Sequence, residues 1–87
     1  VLDHTDTDAL VALATSCRLN NAGQRCNSSK RFIVLEKYYD AFVQKIAATF
    51  VALPLGDPLD PRTALGPLST KRLMYDIHDQ VTRTVAQ

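Results

Sequence analysis

Apolar residues recur along this chain at two spacings, and the change from one to the other divides it into elements. Leu10, Leu13, Ala14 and Cys17 fall at i, i+3, i+4 and i+7, which predicts one stripe of an amphipathic helix. The run DHTDTD at positions 3–8 precedes it, bringing capping side chains and negative charge to the end where a helix favours both. This helix is expected to close near Asn20, ahead of Gly23. Residues 31–36, RFIVLE, form a short β-branched and aromatic run, with Phe32 and Val34 on one face and Ile33 and Leu35 on the other. Such a run reads as a strand buried on both sides, as in a parallel sheet. Helical spacing returns in residues 37–55 through Tyr39, Phe42, Ile46, Phe50 and Leu53, until Pro54 and Gly56 stop it. Residues 56–70, GDPLDPRTALGPLST, hold three of the four prolines and two of the three glycines, so an irregular loop is expected there. Ser69 or Thr70 then caps a last helix with Leu73, Ile77, Val81 and Val85 along one side.

The predicted order is helix, turn with Cys26, strand, helix, loop, helix, with no internal repeat and no low-complexity segment. A single strand that is apolar on both faces needs neighbours to pair with. Val1 and Leu2 can be read as the end of a second, cut strand. The fold class expected is therefore α/β, with these 87 residues a fragment of a larger parallel-sheet domain.

Composition narrows the partners. A net charge of +1 makes no electrostatic case for nucleic acid or an anionic membrane. The longest apolar stretch, Ile46 to Leu55, is interrupted by Thr49 and Pro54 and is too short to span a bilayer. Two cysteines are too few for a secreted disulfide framework, so a reducing, cytoplasmic compartment is expected.

Within NNAGQRCNSSKR, residues 20–31, a cysteine lies among small polar residues behind a Gly-Gln pair. Core cysteines sit in apolar surroundings, whereas Cys26 falls on a turn beside Arg25 and near Lys30 and Arg31. Local chemistry leaves two readings. Access and nearby cations favour a nucleophilic thiolate, with turn N–H groups available to an oxyanion; the other reading is a partly exposed structural cysteine. Cys17 lies on the apolar stripe and reads as a small buried hydrophobe. His4 and His78, each among acidic residues, read as solvent-facing, and no zinc-ligand spacing, GxGxxG or P-loop occurs.

LNNAGQRC is similar to the aldehyde dehydrogenase active-site pattern F-x-N-x-G-Q-x-C through Asn21, Gly23, Gln24 and Cys26. Further blocks resemble the same family in order. DHTDTDAL is similar to its D-x-A-D-L-D segment, and Arg31 with FIV to the strand after the cysteine. YYDAFVQKI resembles its Y-D-x-F helix, and GDPLDPRTALGPL its G-D-P…G-P-L loop. SSKRFIV and the stretch from Ala64 to Gln87 look most like bacterial succinate-semialdehyde dehydrogenases. Two positions depart from the pattern: Leu19 replaces an aromatic, and Asn20 stands where some members using that substrate carry an arginine.

The resemblance implies that residues 1–87 are part of a single aldehyde dehydrogenase catalytic domain, with most of the cofactor domain absent. Cys26 would attack an aldehyde, giving a thiohemiacetal and then a thioester, with hydride passing to NAD or NADP. Gly23 and Gln24 would shape the loop that presents the thiol, and Asn21 would fix it through hydrogen bonds. A side-chain amide and a carboxylate that the family places upstream are absent from this segment, so the fragment alone is expected to be inactive. The resemblance also implies a small aldehyde as substrate and a parent enzyme that is a homo-oligomer. The alternative from a different class is a stand-alone helical interaction module in which Cys26 has no catalytic role.

Overall fold

The computed structural model describes residues 6–87. Three helices carry the fold: α1 (Thr7–Leu19), α2 (Glu36–Ala52) and α3 (Lys71–Val85). The cut strand expected at Val1 and Leu2 and the solvent-facing His4 lie outside the described residues.

The side chain of Asp6 starts α1 by accepting from the Ala9 N–H at 3.0 Å, while Asp8 in the first turn and Arg18 in the last complement the helix dipole. The buried face is centred on Val11 and Ala14, flanked by partly buried Leu10. This corrects the expected stripe. Leu13 is 63% exposed and Cys17 is exposed, so neither is a core residue. Two sets at i, i+3 and i+7 compete on this helix, and the one in contact with the rest of the chain runs through Val11, Ala14 and Arg18. A charged member hides that stripe from a search for apolar residues.

α2 packs on α1 and brings in Phe42, which is 2% exposed. Phe32 reaches the same place from the connecting segment, its ring centroid 5.7 Å from that of Phe42 in a tilted arrangement. Val34 and Ile46 complete the cluster. Lys45 pairs with Asp8 across the two helices, an exposed contact that adds little to stability. The residue before a proline is steered out of the helical region, and α2 stops at Leu53, ahead of Pro54.

The α/β expectation is overturned. Residues 31–35 are not a strand, and the described residues contain no strand or sheet, only one isolated parallel bridge between Leu55 and Leu65. The alternation of RFIVLE survives as an extended segment on one side of the core. Phe32 and Val34 pack inward, whereas Ile33 is 85% exposed, so the segment is not buried on both faces. Alternation dictates which side chains can share a face, but a strand also needs a neighbour to complete its ladder, and among the described residues no ladder forms along 31–35. The described residues are a helical arrangement around a small core.

Residues 53–70 form an irregular loop, which begins three residues earlier than the 56–70 expected. It folds back on itself through Gly56 N–H to Leu65 C=O (3.3 Å) and Ala64 N–H to Pro54 C=O (2.9 Å). Asp57 accepts from the Leu59 N–H at 2.8 Å. Asp60 accepts from the main-chain N–H of Arg62 at 2.9 Å and takes its guanidinium in a two-pronged grip. The side-chain bond to Arg62, and then its main-chain N–H, hold the Asp60 carboxyl below its ordinary range. A lowered carboxyl value means that this support is present at neutral pH and fades only as the pH falls through that lowered value. Thr70 caps α3, accepting from the Leu73 N–H at 3.1 Å. The expected line of Leu73, Ile77, Val81 and Val85 lies on this helix, but α3 packs against neither α1 nor α2, and Ile77, Val81 and Val85 are exposed.

Candidate active site

Between α1 and the extended segment the chain makes a change of hand. Asn21, Ala22 and Gly23 all have positive φ (54°, 55° and 74°). Asparagine tolerates this region and glycine is at ease in it, but alanine is strained there by about 1 kcal/mol or more. Strain of this kind persists where surrounding bonds over-determine the backbone. Here both the main-chain N–H and the side-chain amide of Gln24 donate to the Asn21 carbonyl, at 3.1 and 3.0 Å.

Gln24 also faces outward from its own loop. Its Oε1 accepts from the Ser69 N–H at 2.9 Å, tying the cysteine loop to the residues that lead into α3. The chain then turns through Arg25–Ser28, closed by Ser28 N–H to Arg25 C=O at 3.1 Å, and Cys26 stands exposed on this turn. Lys30 reaches back to donate to the carbonyls of Arg25 and Cys26 at 3.0 and 2.9 Å. Its charge is therefore placed on the carbonyl side of the turn. Among the described residues no acceptor takes the Cys26 main-chain N–H.

The base of the loop is closed twice. Ser29 N–H donates to the Cys17 carbonyl, and Arg18 Nη1 donates to the Ser29 carbonyl, both at 3.1 Å. Gly23 lies against the same arginine. A Cβ on Gly23 would stand 3.0 Å from Arg18 Nη2, 3.1 Å from its carbonyl oxygen and 3.2 Å from Cζ. Gly23→Ala therefore combines a left-handed backbone with crowding, and it is expected to destabilise the chain by about 1–2 kcal/mol. Urea unfolding of the two forms measures this directly; an unchanged midpoint would show that the loop shifts freely.

The four motif residues thus fall on one loop. Cys26 occupies the exposed turn, Gly23 supplies the left-handed close approach, Gln24 bridges to Ser69, and Asn21 is engaged through its main-chain carbonyl. Arg18 and Ser69 are participants that motif reading missed. Arg18 is signalled only by its place on the face of Val11 and Ala14, and Ser69 by nothing local. His78 is exposed on α3, and no hydrogen bond or ion pair links it to the turn. Among the described residues no group of three His, Cys, Asp or Glu side chains can hold a metal ion, and no helix is long and apolar enough to cross a membrane. A cleft of about 420 Å³ separates Asn21 and Ala22 from Ala64–Ser69, but Cys26 is not among its walls.

The chain is 46% identical over 81 residues to a succinate-semialdehyde dehydrogenase [NADP(+)] of Deinococcus radiodurans, a match covering 93% of this chain and 17% of that protein. It is 43% identical over 86 residues to succinate-semialdehyde dehydrogenase [NADP(+)] 1 of Mycobacterium bovis, covering 99% of this chain and 19% of that protein. A third relative, succinate-semialdehyde dehydrogenase [NADP(+)] of Mycolicibacterium paratuberculosis, is 44% identical, covering 99% of this chain and 18% of its own length. The chain thus spans less than a fifth of the length of these relatives. With the aldehyde dehydrogenase family model matching residues 1–87, from the start of the chain to its end, this chain belongs to the aldehyde dehydrogenase family.

Proposed function

We propose that this chain is the nucleophile-bearing segment of an NADP-dependent aldehyde dehydrogenase, with succinate semialdehyde as its substrate. The observation that carries the reading is Cys26: exposed on a braced turn, inside the family's motif, with its own N–H uncommitted among the described residues. The names of the relatives support the choice of aldehyde and cofactor. The family match over the whole chain favours this reading over a stand-alone interaction module.

In the proposed reaction the Cys26 sulfur, as thiolate, forms a bond to the aldehyde carbon, and the carbonyl electron pair moves to oxygen. In this reading the Cys26 N–H, which has no acceptor among the described residues, donates to that oxygen. A bound nicotinamide cofactor supplies the hydride acceptor. No glycine-rich phosphate cradle of the GxGxxG type is present in this sequence, so no residue here is assigned to holding the cofactor. Once the carbon has lost hydride, the oxygen re-forms its double bond and a thioester remains on Cys26. Water then breaks the carbon–sulfur bond, the acid leaves, and the thiolate returns. Lys30, bound to the carbonyls of Arg25 and Cys26, keeps the turn in shape through the cycle.

The reading is tested on the complete enzyme by acid quenching during turnover of succinate semialdehyde with NADP, followed by mass spectrometry of the peptides. A succinyl group is expected on the peptide carrying Cys26. Turnover with the acyl group on Cys17 instead, or on no cysteine, would overturn it.

A further inference from the structure

We propose that Arg18 is a positioning residue for the Cys26 thiol, acting through the main chain of the turn rather than by touching the sulfur. The proposal rests on the reading of Cys26 as nucleophile. Arg18 lies on the face of α1 that also carries Val11 and Ala14, so its stem leaves the helix beside the core. Its head then meets the loop at two points. Nη1 donates to the carbonyl of Ser29 at 3.1 Å. Nη2 and Cζ stand 3.0 and 3.2 Å from the place where a Gly23 Cβ would be.

Gly23 is three residues before Cys26 and Ser29 three residues after it. One rigid, planar group therefore spaces both arms of the loop whose turn carries the thiol. A guanidinium suits this work because its plane fixes the separation of its contacts, whereas an ammonium is a point on a flexible stem. The lack of a side chain on Gly23 follows from the same contact, since the guanidinium fills the room a Cβ needs. Removing the arginine leaves the Ser29–Cys17 main-chain bond at the loop base, so the loop stays closed there but loses its spacer.

The test uses the complete enzyme with Arg18→Met and Arg18→Lys. Arg18→Met is expected to lower kcat by about 10- to 100-fold, the size of effect that follows a small misplacement of a reacting atom. KM for NADP and the melting temperature are expected to stay near those of the parent, and Arg18→Lys is expected to recover part of the loss. A kcat within about twofold of the parent for Arg18→Met would overturn the proposal. So would a loss that tracks a fall in melting temperature, because a purely structural role behaves in that way. If Arg18→Met does not fold, the lysine variant decides alone, and unchanged kcat in it overturns the proposal. Alkylation of Cys26 by iodoacetamide in the parent enzyme separates the two claims. Full activity after that modification would remove the nucleophile reading itself, and this inference with it.

Discussion

Cys26→Ser in the complete enzyme is expected to lower kcat for aldehyde oxidation on the order of a thousandfold or more, with NADP binding retained. The substitution keeps the size and the turn geometry and changes one property. A serine hydroxyl stays protonated near neutral pH and is a poor nucleophile without a base beside it, and no hydrogen bond or ion pair joins His78 to this turn. Because Cys26 is exposed and its side chain makes no bond that supports the fold, the loss has to appear in chemistry and not in stability. Cys17→Ser is the matching control. Its side chain is exposed on α1, so the change is expected to fall within about 0.5 kcal/mol of the parent and to leave turnover intact. Steady-state rates, cofactor titration and thermal unfolding of both variants measure these outcomes. A Cys26→Ser enzyme that keeps most of its activity would sink the nucleophile assignment.

Phe42→Ala is expected to cost about 3–5 kcal/mol, the range for deleting a fully buried aromatic ring. Among the described residues only Val11, Ala14 and Phe42 are buried apolar residues, and Leu10, Phe32, Val34 and Ile46 pack against them. Phe42 touches both ends of the story: α1, which leads into the cysteine loop, and Phe32, which follows it. Losing the ring removes the shared anchor of those two segments. Small domains hold a margin of only a few kcal/mol, so this one change is expected to abolish the cooperative loss of helical signal in urea. A transition as sharp as the parent's, at a midpoint close to it, would show that the core lies elsewhere.

What the sequence disclosed divides by the range of the interactions involved. A cap at Ser69 or Thr70, which the structure assigns to Thr70, and the stop of α2 before Pro54 depend on residues a few positions apart, and both are legible. Residues 31–35 are misread because their alternation is local, whereas a strand is defined by a ladder, and among the described residues none forms along this segment. The α1 stripe was misread for a related reason: Leu13 and Cys17 are as apolar as the true face, and only tertiary contact selects Val11 and Ala14. In the site, Gly23 could be anticipated from its type and Cys26 from its surroundings. The bridge from Gln24 to Ser69 could not, since nothing near either residue refers to the other.

That bridge bears on the order in which the molecule is assembled. Its two ends are 45 residues apart, whereas the other bonds of the cysteine loop close over far shorter spans. Joining distant points carries a larger entropic toll and waits on more of the chain, so α1 and its loop can take shape while the Gln24 amide is still open on one side. On a growing polypeptide the thiol turn is thus drafted early and finished late. Its last fastening arrives only after α2 and the whole proline-rich loop have been made.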